Sequence, residues 1–211
     1  MNLVRQALLK LLDLAQDRQC LLGSLPIPVV GFHLAPQAGS DWKEHRATFG
    51  RVSSKKMTIF GYKLHLLVAV NGTILDFILA PANESDLAVG QELLAAYTDL
   101  VVLGDKAYIS AEVQAQCAEC HVRLLTIPRC NQKQPLSEAA KRRFNRLRQM
   151  VETVNGQLSQ QFQIERNYAH SFWGLGTRLY AKLTAHTLCI HINRLLGTTD
   201  FLQIKALALP T

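Results

Sequence analysis

The order of apolar and polar residues predicts an alternation of strands and helices. An amphipathic helix over residues 1–20 comes first, and a short apolar run over residues 20–30 then predicts a buried strand that ends at prolines. Residues 57–70 alternate as a strand, and Asn71-Gly72 predicts a tight turn into an antiparallel partner over residues 73–79. The first half of the chain therefore predicts one strand followed by a hairpin.

The second half predicts parallel strands joined by a helix. Residues 100–104 form a continuous apolar run, typical of a strand buried on both faces, and residues 122–127 predict another strand after a helix. Long helices follow over about residues 141–162 and 171–196. The chain therefore predicts an α/β fold, with a mixed sheet of about five strands and helices on both faces. Residues 31–56 show no clear period and are predicted as a loop that faces a ligand.

Composition narrows the class of partner. The 211 residues suffice for one domain with a sizeable core, and the formal net charge of +7 favours polyanionic partners such as nucleic acid. A basic protein without a nucleic-acid role is the alternative. The apolar stretch over residues 174–196 carries Arg178, Lys182 and Arg194, which argues against a membrane span, and no signal peptide is visible.

The cysteines indicate a reducing compartment. Five cysteines, an odd number, in a chain too large to need disulfide bridges predict reduced thiols and a cytoplasmic location. Cys117 and Cys120, with His121 and Cys130 nearby, could form a metal knuckle, although two cysteines at a helix end explain the same spacing.

Two carboxylates stand in contexts that suit a divalent-metal site. Asp105 follows a predicted central strand, where open α/β sheets bind ligands, and its neighbour Lys106 can meet a phosphate. A turn residue or helix cap is the alternative for Asp105. Glu152 lies at the edge of the apolar stripe of a long helix, four residues after Arg148, which could orient it or contact a phosphate. A simple Arg–Glu helix pair is the alternative there.

Basic residues around these acids are candidate DNA contacts. A dense run precedes Glu152 on the same helix: Lys141, Arg142, Arg143, Arg146 and Arg148. A solvated helix face would explain that run equally well. Lys63 and His65 point to one face of the predicted hairpin and could contact a phosphate or leaving group, or could form an exposed sheet edge.

Six stretches, in order over roughly residues 20–195, carry a resemblance to a known family. They read Ser24-Leu25-Pro26-Ile27-Pro28-Val29, Phe60-Gly61-Tyr62-Lys63-Leu64-His65-Leu66-Leu67, Leu79-Ala80-Pro81-Ala82-Asn83, Leu103-Gly104-Asp105-Lys106-Ala107-Tyr108-Ile109-Ser110, Val151-Glu152-Thr153-Val154-Asn155-Gly156-Gln157-Leu158 and Leu183-Thr184-Ala185-His186-Thr187-Leu188-Cys189. In these stretches the chain resembles DDE-type insertion-sequence transposases, whose catalytic domain is ribonuclease-H-like.

The resemblance implies a site with one position empty. In such enzymes three carboxylates hold two divalent ions, Mg²⁺ or Mn²⁺, for DNA strand cleavage and strand transfer. By resemblance Asp105 is the second acid, Glu152 is the third, and Arg148 is the basic residue that precedes it. The first acid should stand directly before Ser24, where this chain has Gly23. Metal binding and activity are therefore expected to be weakened or lost, unless Asp41 substitutes.

The resemblance also sets domains, partners and alternatives. It implies a leading helix over residues 1–20 as the remnant of an N-terminal helical region, a ribonuclease-H-like catalytic domain over 21–197, and a loose tail over 198–211. The expected partner is DNA, both transposon ends and target, bound by a homodimer or larger assembly. A non-enzymatic DNA-binding relic or regulator remains an alternative, as does a nuclease or phosphatase on the same fold.

Overall fold

The computed structural model describes residues 2–11, 18–52, 56–126 and 138–208. Two short 3₁₀ helices, Phe32–Gln37 and Lys106–Tyr108, accompany the main elements. The helices and strands, in chain order, are α1 Asn2–Leu11, β1 Gln19–Val30, α2 Ser40–Glu44, β2 Thr48–Val52, β3 Met57–Ala69, β4 Ile74–Pro81, α3 Asp86–Leu94, β5 Val101–Gly104, α4 Ala111–Glu119, β6 Arg123–Thr126, α5 Glu138–Gln160, α6 Phe172–Leu195 and α7 Lys205–Ala208.

One mixed sheet organises these elements around β1. On one side β1 pairs antiparallel with β3, and on the other it pairs parallel with β5, which pairs parallel with β6. The free edge of β3 pairs first with β2 and then with β4, both antiparallel. This arrangement confirms the predicted ribonuclease-H-like α/β fold, in which a hairpin and parallel strands share one sheet.

Strand β2 lies in the segment predicted as a loop, and it brings the number of strands in the described sheet to six. Its five residues, Thr48–Val52, include Gly50, where a side chain would meet the backbone of Ala82. Glycine is required at this position because the two backbones approach closely. So short a strand is stabilised by its pairing with β3 and not by an alternation of apolar and polar residues of its own. The hydrophobic pattern therefore did not predict it.

Helices cover both faces of the sheet, as predicted. On one face, Val154 and Leu158 of α5 and Leu179 of α6 pack against strand residues that include Leu64 and Leu66. On the other face, the residues of α3 and α4 that pack on the sheet include Leu93 and Val113. Burial of these apolar side chains supplies the main stabilisation of the layers.

The two ends of the described chain dock on this body. In α1 the guanidinium of Arg5 is buried, donates hydrogen bonds to the carbonyls of Ile74 and Leu75, and lies 3.9 Å from the carboxylate of Asp76. Near the other end Ile204 is fully buried, which differs from the loose tail predicted over residues 198–211. Residues 209–211 lie outside the described part.

No helix in the described part of the chain combines the length and the apolar character needed to cross a membrane.

Candidate functional site

Gly23 on β1 and Asp105, the residue directly after β5, lie two residues beyond the last paired positions of two adjacent parallel strands. The register pairs Leu21 of β1 with Leu103 of β5, and alternate residues of a strand share a face. Two residues further along, Gly23 and Asp105 therefore come side by side on the face covered by α5. The structure thus puts the glycine next to the predicted second acid.

Helix α5 crosses above this pair of positions. A Cβ atom placed on Gly23 would lie 2.6 Å from Val151 Cγ2 and 3.4 Å from Asn155 Nδ2.

Arg148 and Val151 also line a small cleft with Leu103, Gly104 and Asp105. Because residues three and four apart share a helix face, Glu152 lies on the same side as Arg148 and Asn155. The end of β5 and the turn of α5 that bears Arg148 and Val151 therefore border one cleft, and Glu152 contacts this turn through Arg148.

Both carboxylates already have partners. The Oδ1 atom of Asp105 accepts a hydrogen bond of 2.7 Å from the amide of Ala107, as the cap of a short 3₁₀ helix. The Oε1 atom of Glu152 accepts one of 2.8 Å from Nε of Arg148, and both of these side chains are more than half exposed. Each contact occupies one oxygen of its carboxylate. An ion pair this exposed contributes little stability.

The residues present do not fit a pair of divalent ions. Such a pair needs several oxygen ligands, and the site offers two carboxylates, one of them paired with an arginine, beside a glycine. In the described ranges, no group of three or more His, Cys, Asp or Glu side chains could hold a metal ion. Cys117 and Cys120 are free thiols, the first buried and the second exposed, and Cys130 lies outside the described residues.

Asp41, expected as a possible substitute for the first acid, is engaged elsewhere. Its Oδ2 atom accepts a hydrogen bond of 2.6 Å from the amide of Phe172, at the start of α6. Its Oδ1 atom lies 3.5 Å from Nδ1 of His45. The carboxylate therefore caps a helix, a role that the sequence pattern did not reveal because 131 residues separate the two partners.

The structure corrects the expectation that His65 contacts DNA. Its ring is fully buried beneath α3, and neither nitrogen has a hydrogen-bond partner among the described residues. The pKa of His65 is lowered to about 4, mainly by burial, while Asp86 opposes the shift and Lys63 contributes to it. The ring is therefore neutral at pH 7 and lies inside the protein, where a phosphate cannot reach it.

Lys63 is also engaged. Its Nζ atom lies 2.7 Å from Oδ1 of Asp86 and donates a hydrogen bond of 2.9 Å to the carbonyl of Glu84.

The hydroxyl of Tyr108, which sequence reasoning did not single out, is buried nearby with no partner among the described residues. Burial raises the pKa of Tyr108, and Asp86 and Asp105 raise it further. These groups form a polar patch on the face of the sheet that α3 and α4 cover.

The predicted basic residues of α5 remain accessible. Arg142, Arg143 and Arg146, called here the arginine face, are exposed on the first half of the helix. Of these, Arg143 donates a hydrogen bond of 3.0 Å to Gln19 Oε1. The arginine face borders a groove with an apolar floor that includes Val70 and Leu147. The side chain of Lys106 lies outside the described part of the structure.

A comparison with protein families finds one match. A family model described as a transposase DDE domain matches residues 43–172, which is more than half of the chain. The matched span contains Asp105, Glu152 and the arginine face, and it begins after Gly23. No curated protein matches the chain.

Proposed function

The chain belongs to the transposase DDE domain family, and we propose that it binds insertion-sequence DNA while its strand cleavage and strand transfer are impaired. One observation carries the proposal: Gly23 lies beside Asp105, under the turn of α5 that bears Glu152. This is the position at which the resemblance expects the first catalytic acid. By analogy with the removal of other catalytic groups, the rate should fall by several orders of magnitude.

Charge supports retained DNA binding. The chain has a formal net charge of +7, and the arginine face is exposed next to the candidate site. Each arginine that meets a phosphate releases condensed counterions, which favours binding without any need for a catalytic site. Asp105 and Glu152 would then lie close to the bound backbone, with Arg148 compensating one of the two negative charges.

The Arg148–Glu152 ion pair and the lack of a third acid also support a second candidate, a non-enzymatic DNA-binding relic or regulator on the same fold. In both cases we propose a cytoplasmic protein that assembles as a homodimer or larger complex on DNA. The two candidates differ in one respect: an impaired transposase retains slow, metal-dependent cleavage, whereas a regulator has none.

A cleavage and joining assay tests the proposal. Plasmid nicking and the joining of a 3′-hydroxyl duplex to target DNA are measured in Mg²⁺ and in Mn²⁺, with DNA binding measured on the same samples. The matched control is Asp105→Asn/Glu152→Gln, which keeps both shapes and removes both charges. We expect clear DNA binding and at most a trace of cleavage that the control abolishes.

Other results would separate the alternatives. Cleavage absent from the native chain and from the control alike, with binding retained, would favour the regulator. Efficient cleavage and joining that disappear in the control would contradict impairment. Cleavage of any duplex without joining would indicate a nuclease instead.

A further inference from the structure

The space above Gly23 is filled by a neighbouring side chain. Val151 Cγ2 lies 2.6 Å from where a Cβ atom of residue 23 would stand, much closer than the contact of about 3.5–4.0 Å that carbon atoms normally make. Valine is branched at Cβ and has essentially one rotamer in a helix, so it cannot turn away. Val151 is also buried among core residues of this face, which include Leu21 and Leu103. Any side chain at position 23 must therefore displace a packed residue.

A polar group faces the same space. Asn155 Nδ2 and Oδ1 would lie 3.4 Å and 3.7 Å from the Cβ of residue 23. The Oδ1 atom is buried and has no hydrogen-bond partner among the described residues. An amide oxygen accepts hydrogen bonds and a carboxylate has no proton to donate, so only the Nδ2 atom of Asn155 could pair with an acid at position 23. A carboxylate on residue 23 would be within reach of the Nδ2 atom.

We propose that Asn155 is the positioning residue of the lost first acid and that Val151 now blocks its return. Changing Gly23 to aspartate alone then leaves metal binding poor, whereas Gly23→Asp combined with Val151→Ala builds a divalent-cation site with Asp105 and Glu152. This inference rests on the proposed function, because the placement of the missing acid comes from the family resemblance.

Calorimetric titration with MnCl₂, in the absence of DNA, tests the inference. The native chain and Val151→Ala should show no saturable binding, and Gly23→Asp should bind weakly and melt at a lower temperature than the native chain. Gly23→Asp/Val151→Ala should bind at least tenfold more tightly than Gly23→Asp, and Mn²⁺ should raise its melting temperature. Adding Asp105→Asn should abolish this binding.

Two further substitutions separate positioning from packing. In the Gly23→Asp/Val151→Ala background, Asn155→Ala should weaken Mn²⁺ binding by about tenfold, the effect typical of a group that orients a metal ligand. The matched control is Thr153→Ala on the same helix, because Thr153 is exposed and its hydroxyl donates to the carbonyl of Gln149. This control should leave Mn²⁺ affinity unchanged.

A smaller probe keeps the test decisive if the aspartate variants fold poorly. Gly23→Ala adds only the Cβ atom, so it should lower the melting temperature. Val151→Ala should then lower the melting temperature less in the Gly23→Ala background than in the native chain. Strictly additive shifts would overturn the steric argument.

The steric argument would also be overturned if Gly23→Asp and Gly23→Asp/Val151→Ala bound Mn²⁺ with equal affinity. A folded double variant that binds no Mn²⁺ would show that residue 23 is misplaced relative to Asp105. DNA binding, measured on the same samples, separates the two proposals. If the native chain does not bind DNA, the proposed function is contradicted, whereas the inference that Val151 blocks a side chain at position 23 still stands.

Discussion

Replacing Arg142 and Arg146 with alanine should weaken DNA binding and reduce its dependence on salt. Both side chains are exposed on α5, one helical turn apart, which corresponds to about 6 Å along the axis. Among the described residues, neither forms an ion pair or hydrogen bond, whereas Arg148 is engaged by Glu152. These two guanidinium groups are therefore the members of the arginine face most available to phosphates.

The magnitude follows from counterion release. Each phosphate contact contributes about 0.9 to the slope of log affinity against log salt for duplex DNA, so two lost contacts should reduce the slope by about 1.8. Extrapolated from 1 M salt, where this electrostatic contribution vanishes, the loss of affinity at 0.1 M salt should be about 60-fold.

Fluorescence anisotropy with a labelled duplex, repeated over a series of salt concentrations, measures both quantities. The matched control is Lys10→Ala/Lys205→Ala, which removes the same charge from exposed positions on α1 and α7, away from the candidate site. The control should change the slope little. Equal slopes for the two double variants would refute a specific role for α5 and leave only the net charge as the cause of binding.

Three further predictions concern stability, each measured by urea unfolding. Arg5→Met should lower the free energy of unfolding by about 3 kcal/mol, because Asp76 and two backbone carbonyls lose a buried partner. Burial lowers the pKa of His186 to about 4, so the unfolded chain binds the proton more readily and stability should fall as pH drops from about 6.5 to about 4. The full effect is about 3 kcal/mol, and His186→Gln should remove this share of the pH dependence. Asp41→Ala should cost about 1–2 kcal/mol, because the amide of Phe172 loses its acceptor, and should leave Mn²⁺ binding of Gly23→Asp/Val151→Ala unchanged.

Sequence patterns correctly predicted those elements whose conformation depends on residues close together in the chain. Asn71-Gly72 correctly predicted the β3–β4 hairpin, although the turn centres on Val70 and Asn71, because the amide of Gly72 donates to the carbonyl of Ala69 and Gly72 follows with a φ of +87°. Strand β2 was missed because its pairing depends on β3, and the close approach of Gly50 to Ala82 appears only once the sheet is assembled.

The same distinction applies to the candidate site. Asp105 was predicted at a strand end, and Glu152 on the edge of a helical stripe, because alternation and helical spacing assign a residue to a face. Alternation also placed Lys63 and His65 on one face, but it could not reveal that α3 covers that face and buries the histidine. Exposure depends on the next layer of the fold, which no local pattern contains.

Gly23 shows the most consequential form of this limit. By resemblance, the stretch that follows position 23 indicates that a carboxylate is missing there. The sequence cannot identify what occupies the space beside that position, because this depends on which residues distant along the chain pack there. Here the helical spacing predicted Val151 as a core residue, and the structure puts a methyl group of Val151 within 2.6 Å of where a Cβ atom of residue 23 would be. A residue that stabilises the present packing is then also an obstacle to recovering the ancestral chemistry, and a single reversion cannot test whether the site was once complete.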